Sequence, residues 1–312
     1  MPPVAGQRSE VKNQKNCETP HNTMRYQPPV FRPPSEADSY ILQITYGCSH
    51  NRCTFCAMYR TKTFRARPFS EIKEDILEAA RVDSQIRRVF LADGDAMVLS
   101  TPKLLEILKL LNENFKSLER VAIYADAHGI LRKTAEELAA LREHKLSIVY
   151  LGLESGSDKV LSAINKGITA TEMCDAITKA RSAQIQTSVI ALLGIGGVSD
   201  SAEHARETAR VVSQMSPDYF SALTLTLVEG TELFDSERNG TFQALSPEAS
   251  LQELGEMLAQ IQPTTPIIFR TNHASNYVTL RGTLPQDREA MLSKIHLALK
   301  NKALKPEWMR GL

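Results

Sequence analysis

The chain lacks an excess of charge of either sign: 37 lysines and arginines face 36 aspartates and glutamates, a formal net charge of +1 over 312 residues. Without a basic surplus it has no bulk means of neutralising a run of phosphates, so a nucleic-acid partner is not expected. Long apolar runs are missing too. No stretch approaches the ~20 consecutive apolar residues that span a bilayer, and the opening MPPVAGQRSEVKNQKN has no apolar core of a secretory signal. The expectation is a cytoplasmic protein without a membrane partner. Cysteine is scarce, five in all, yet three of the five fall between positions 48 and 56. Such crowding does not suit a disulfide framework, and in a reducing compartment it points to a metal or to catalysis.

What is present is an ordinary apolar fraction, 42%, enough to bury a core. Residues 1–38 carry seven of the 15 prolines. Proline removes backbone donors and resists helix, so this stretch reads as a partly disordered arm draped over the core, with Cys17 an idle surface thiol.

From residue 39 a strand–helix rhythm sets in. Strand-like runs stand at 41–46, 88–92, 120–125, 146–153, 187–193 and 219–227. Between them lie helical patterns: Ile72, Ile76, Leu77 and Ala80 on one face; Leu104, Leu105, Leu108 and Leu111 on another; 171–182; and 201–215 with Ala202, Ala205, Ala209 and Val212 inward. Thr134 and Glu137 fit a capping box. Strands that are nearly continuous apolar runs are buried on both faces, the mark of a parallel sheet. The fold class is therefore α/β, with residues 39–230 forming a partial (βα)6 TIM-like barrel. An open doubly wound sheet gives the same alternation, and periodicity does not separate the two. Residues 231–312 break the rhythm and read as a small C-terminal helical cap and substrate region.

The informative loop is Gly47-Cys48-Ser49-His50-Asn51-Arg52-Cys53-Thr54-Phe55-Cys56. It follows the first strand, and in parallel α/β folds the loops at strand carboxyl ends collect active sites. Three is the telling number of thiols. A structural zinc site is closed by four protein ligands, and an electron-transfer [4Fe–4S] cluster usually takes four thiolates. Cys17 in the arm and Cys174 on a helix are poorly placed to supply a fourth. A centre one ligand short keeps a position open for a small molecule. A zinc-dependent binding or hydrolytic protein, with His50 as a further ligand, and an iron–sulfur redox protein without turnover are the alternatives.

The cysteine loop, ahead of a six-unit α/β alternation, resembles the radical S-adenosylmethionine (radical SAM) superfamily over residues 39–228, most of all its Elp3/MiaB/NifB-type cores, the group that includes anaerobic tetrapyrrole-synthesis enzymes. The spacing here is CxxxxCxxC, one residue longer than the family's usual CxxxCxxC. The resemblance implies that Cys48, Cys53 and Cys56 bind three irons of a [4Fe–4S] cluster while S-adenosyl-L-methionine chelates the fourth. It places Phe55 near the adenine, and Asp93, Gly94 and Asp95 at the methionyl amino group. It also implies that Glu154 and Ser155 contact the nucleoside, and that Gly194 and Ile195 flank the adenine. The activity it implies is reductive cleavage to a 5′-deoxyadenosyl radical that takes hydrogen from a small-molecule substrate, with a flavodoxin- or ferredoxin-type reductant.

The loop 269–277 concentrates Arg270, Asn272, His273 and Asn276, which are expected either to contact the substrate or to form a hydrogen-bonded turn tying the cap to the barrel. His128, a lone histidine, reads as structural, and Arg65 and Arg67 as solvated charge. The chain offers no downstream cysteine cluster for sulfur insertion and no N-terminal stretch long enough for a cobalamin domain. A dehydrogenation, decarboxylation or rearrangement at the primary cluster is the expected reaction.

Overall fold

The computed structural model describes residues 25–310; Cys17 and the first part of the proline-rich arm lie outside the described residues. Strands β1 (Tyr40–Gln43), β2 (Thr45–Tyr46), β3 (Arg65–Ala66), β4 (Arg88–Ala92), β5 (Arg120–Tyr124), β6 (Leu146–Glu154), β7 (Gln186–Leu193), β8 (Tyr219–Thr224), β9 (Ile267–Arg270) and β10 (Arg281–Leu284) alternate with helices. The helices are α1 (Phe69–Val82), α2 (Thr101–Asn114), α3 (Ala127–Leu131), α4 (Ala135–Glu143), α5 (Asp158–Ala163), α6 (Ala170–Ser182), α7 (Gly197–Met215), α8 (Glu232–Arg238), α9 (Pro247–Gln260) and α10 (Arg288–Lys300). The main sheet has the order β1-β4-β5-β6-β7-β8-β9-β10, parallel from β1 to β9, with β10 antiparallel at the edge. It is a partial TIM-like barrel.

The central strands β4, β5 and β6 bury both faces over most of their length, as their apolar runs demand. Outward residues such as Leu91, Ile123, Val149, Val189 and Phe220 join Ile72, Leu104, Leu108 and Ala209 of the helices in the main core. Inward residues Phe90, Ala92, Ala122, Ile148 and Tyr150 form a second, smaller cluster with Val30 of the arm and Tyr124. The described part of the arm thus enters the concave side. Tyr26 donates to Ile41 O at 2.6 Å, and Gln27 N donates to Gln43 Oε1 at 2.9 Å.

Caps set the helix starts. The Thr134–Glu137 box opens α4, a second box, Thr169 with Glu172, opens α6, and Ser246 caps α9. Two expected inward positions face out. Leu77 is 43% exposed and Ala202 is exposed, because Ala79 on α1 and His204 on α7 take the inward turns. Beyond residue 230 the chain does more than cap. Strand β9 pairs in parallel with β8 and extends the sheet, while α9 packs on α7 and α10 on α9. Among the described residues no helix is long and apolar enough to cross a membrane.

Candidate active site

The cysteine loop leaves β2 through Gly47, whose φ of +74° suits glycine. It is held from three sides. Gly47 O accepts from Gly94 N at 3.1 Å, and Thr54 N donates to Ile164 O at 2.9 Å. The Arg60 guanidinium donates to Cys53 O at 2.8 Å and Cys56 O at 3.0 Å, and pairs with Glu232 of α8 at 2.6 Å. His50 Nε2 meets Asn165 O at 2.7 Å, and the His50 ring fills the space where a side chain on Gly167 would sit. His50 therefore docks the loop. His128 does similar work from α3, Nε2 to Gly167 O at 3.0 Å.

Cys48, Cys53, Cys56 and Phe55 face a cavity of about 1320 Å³ that runs down the barrel, and Gly94 and Glu154 share its wall. These are the expected residues that the fold brings together. Asp93, Asp95, Ser155, Gly194 and Ile195 stand behind that wall. Asp93, fully buried, takes Lys62 Nζ at 2.6 Å, Gln43 Nε2 at 2.8 Å and Gly47 N at 3.1 Å on Oδ2, while Oδ1 has no hydrogen-bond partner among the described residues. Asp95 accepts from Ser49 Oγ and from Asp126 N at 3.0 Å. The two acids brace the cysteine loop from behind. Only glycine fits between them: a Cβ at Gly94 would lie 2.5 Å from the Tyr59 ring and 3.0 Å from Cys48 Cβ.

Glu154 ends β6 in the left-handed region, φ +61°, a conformation that costs a non-glycine residue roughly 1–3 kcal/mol and needs external support. Lys166 supplies it, Nζ to Oε1 at 2.9 Å. Burial works against the Lys166 charge, but Glu154 and Cys53 more than offset it and raise its pKa. Behind Glu154, Ser155 Oγ meets His204 Nδ1 at 2.8 Å. His204 Nε2 lies 3.7 Å from Glu253 Oε1, and Glu253 accepts from Gly194 N at 2.6 Å and from Ser201 Oγ. A fully buried histidine of α7 and a glutamate of α9 thereby tie together the loops after β6 and β7. Burial lowers His204 to about 4 and raises Glu253 to about 7.

Of the expected substrate contacts, Arg270, Asn272 and His273 line the cavity. Asn276 does not. It is buried, donates to Ala222 O at 2.9 Å and accepts from Thr224 Oγ1 at 3.0 Å, which pins the loop to β8. Arg67 is also buried, not solvated, and pairs with Asp75 at 2.7 Å, while Arg65 stacks 4.5 Å from the Tyr46 ring centre.

Sequence reasoning missed Lys62, Lys166, His204 and Glu253. For Lys166 a signal existed: an acid at the end of a buried strand requires a partner. His204 and Glu253 carried none, since each looks like an ordinary helix residue.

The donor set fits an iron–sulfur centre. Three soft sulfur donors sit on one loop, and Cys174, the other cysteine described, is buried on α6. Burial pushes the thiols up, Cys53 to about 12, so their thiolate forms call for positive charge of the kind iron brings. Among the described residues no three His, Cys, Asp or Glu side chains converge on one point as they would around a single ion. A cluster asks for less convergence, because each thiolate takes its own iron.

An open parallel barrel with three thiols at its carboxyl-end mouth has the form of a barrel that holds a metal cofactor. The family model of the radical SAM superfamily matches residues 42–210, and the chain belongs to that superfamily, whose cofactors are a [4Fe–4S] cluster and S-adenosylmethionine. The tRNA-2-methylthio-N(6)-dimethylallyladenosine synthases of Bordetella avium and Syntrophus aciditrophicus are similar to it, at 24% identity over 219 residues and 25% over 235. These matches cover 65% and 69% of this chain but 44% and 49% of theirs, so the chain spans about half the length of the curated relatives it matches. Coproporphyrinogen III oxidase (HemN) from Escherichia coli superposes with a TM-score of 0.57 at 18% identity, covering 71% of this chain and 51% of its own. Methylornithine synthase (PylB) gives 0.51 at 17%, covering 86% and 82%. At these identities the structural likeness speaks to the fold alone.

Proposed function

We propose that Cys48, Cys53 and Cys56 hold three irons of the cluster, and that S-adenosylmethionine binds in the adjoining wall formed by Phe55, Gly94 and Glu154. When bound, the cluster and S-adenosylmethionine supply a reductive carbon–sulfur cleavage that gives a 5′-deoxyadenosyl radical. The chain's own residues do the rest. The Asp93–Lys62 pair and Asp95 fix the cysteine loop from behind, so the thiols are positioned before any cofactor arrives. The Gly94 position, narrowed by Tyr59, leaves room for a ligand to approach the backbone closely. Glu154, anchored by Lys166, offers its remaining carboxylate oxygen to the polar groups of a nucleoside. The network from Ser155 through His204 and Glu253 to Gly194 keeps the two loops beneath the nucleoside in register. Below, the barrel lumen holds the substrate away from bulk water and stray hydrogen donors.

The observation that carries this reading is the set of three unpaired thiols on one braced loop, facing one cavity with the other cysteine described buried elsewhere. A small-molecule substrate and an external one-electron donor of flavodoxin or ferredoxin type complete the proposal. Anaerobic reconstitution should give a brown protein with about four irons and, with dithionite and added S-adenosylmethionine, 5′-deoxyadenosine. A colourless protein holding one zinc, or a brown one that never releases that nucleoside, would defeat the reading.

A further inference from the structure

The cavity continues well below the cysteine loop, and its charges are not balanced there. Among the cations in its wall, Lys166 is paired with Glu154, and Arg120 with Glu36 at 2.8 Å. Arg32 and Arg88 are exposed, Arg88 at the amino end of β4. Arg270 differs from all of these. It closes β9, is half-buried, and among the described residues no carboxylate pairs with it. Its Nη1 donates to Phe269 O at 2.7 Å and to Gly282 O at 3.4 Å, which fixes the guanidinium plane. Nε and Nη2 make no hydrogen bond to the described residues and are not sealed off from the cavity.

The sheet register says what surrounds this cation. Ser221 of β8 is its direct Cα partner, and Ile190 and Gly152 continue that layer across β7 and β6. One layer down, Ile268, Tyr219, Ser188 and Tyr150 stand in line, with Tyr124 beyond. The hydroxyls of Ser188, Tyr219 and Ser221 have no hydrogen-bond partner among the described residues, and all three residues line the cavity. A guanidinium taken partly out of water without a counter-ion is costly. It is offset when a ligand brings an anion that also accepts from the neighbouring hydroxyls.

We propose that the lumen takes a small substrate bearing a carboxylate, and that Arg270, with Ser221 beside it, is the specificity-determining contact for that group. The inference rests on the cofactor reading only for the direction in which the substrate faces. One planar fork carrying one charge matches one carboxylate, whereas a phosphate dianion needs more positive charge than this layer holds. The carboxylate end sits at the β8–β9 layer, and the remainder of the molecule extends from there towards the thiol loop.

The test uses the full chain, both apo and anaerobically reconstituted. A panel of small monocarboxylates spanning aliphatic, aromatic and α-amino types, the matching primary carboxamides, inorganic phosphate and bulk tRNA are titrated by thermal shift and equilibrium dialysis. At least one carboxylate should bind at least tenfold better than its carboxamide. Arg270→Gln should lose that preference, Arg270→Lys should retain part of it, and Ser221→Ala should weaken it a few fold. Circular dichroism establishes that each variant is folded. Carboxylates that bind no better than their amides, a preference that survives in Arg270→Gln, or preferential binding of phosphate or tRNA overturns the proposal. Iron content and 5′-deoxyadenosine release by the wild-type protein report on the cofactor reading alone, so the failure of one is told apart from the failure of the other.

Discussion

The two ends of the barrel cavity are built in opposite ways. At the carboxyl end, one nine-residue stretch supplies three thiols and Phe55, and buried polar contacts from Asp93, Asp95, Lys62 and Arg60 hold that stretch in place. In the lumen, the wall is assembled from several strands far apart in the chain. Tyr124, Ser188, Tyr219 and Arg270 meet only because strands β5 to β9 lie in a particular register. The first region falls within residues 42–210, which match the superfamily, and Tyr219 and Arg270 of the second lie outside them. On the proposed reading, a local motif with rigid backing carries the cofactor chemistry, and residues gathered from several strands contact the substrate.

Substitutions can break this contrast, and the largest effects belong to the motif. Cys53→Ala should lower iron on reconstitution to background and abolish 5′-deoxyadenosine release, with the fold retained by circular dichroism. An active variant would mean that the loop is not the anchor. Next comes its backing. Lys62→Met leaves Asp93 buried without its counter-ion and should lower unfolding stability by roughly 3–5 kcal/mol in denaturant titration. A change under about 1 kcal/mol would show that Asp93 is not held by that pair.

The buried His204–Glu253 link predicts a pH signature. Glu253 has its folded pKa raised from 4.5 to about 7, so its contribution to stability is present below 4.5 and lost as pH rises to about 7. His204, lowered from 6.5 to about 4, contributes above 6.5 and loses that contribution as pH falls towards 4. The two trends oppose each other in the wild type. Relative to wild type, Glu253→Gln should therefore gain stability as pH rises from 4.5 to 7, and His204→Asn should gain as pH falls from 6.5 to 4. Each slope should approach about 1.4 kcal/mol per pH unit. Parallel curves for variant and wild type would remove both groups from the titration. The smallest effect is expected far from the cavity: breaking the exposed Arg87–Glu119 pair by Arg87→Gln should change stability by about 0–1 kcal/mol and leave iron loading unchanged.

Local chemistry was the part of the site legible in the sequence. The thiol triplet, the glycine between two aspartates and the acid closing the fourth run all stand where residue type and spacing place them near a strand end. Their tasks were less legible. Asp93 and Asp95 turn inward to brace the loop, because at the carboxyl end of β4 the neighbouring loop amide, lysine and serine offer nearer partners than the cavity does. Asn276 was grouped with Arg270 and His273 by proximity in sequence, but a turn sends it to the back of β8. Periodicity places Leu77 and Ala202 inward, but it does not say which of two nearby positions a neighbouring helix will cover.

The sequence by itself determined the alternation of strands and helices, the capping of α4 and α9, and the three-thiol loop, since all of these follow from interactions among residues close along the chain. Tertiary structure alone decided that β9 and β10 extend the sheet, that α9 reaches the loop after β7 through Glu253, and that Arg270 stands unpaired beside Ser221. Those contacts join residues separated by tens of positions. Strand register and helix packing select them, and no spacing along the chain encodes either.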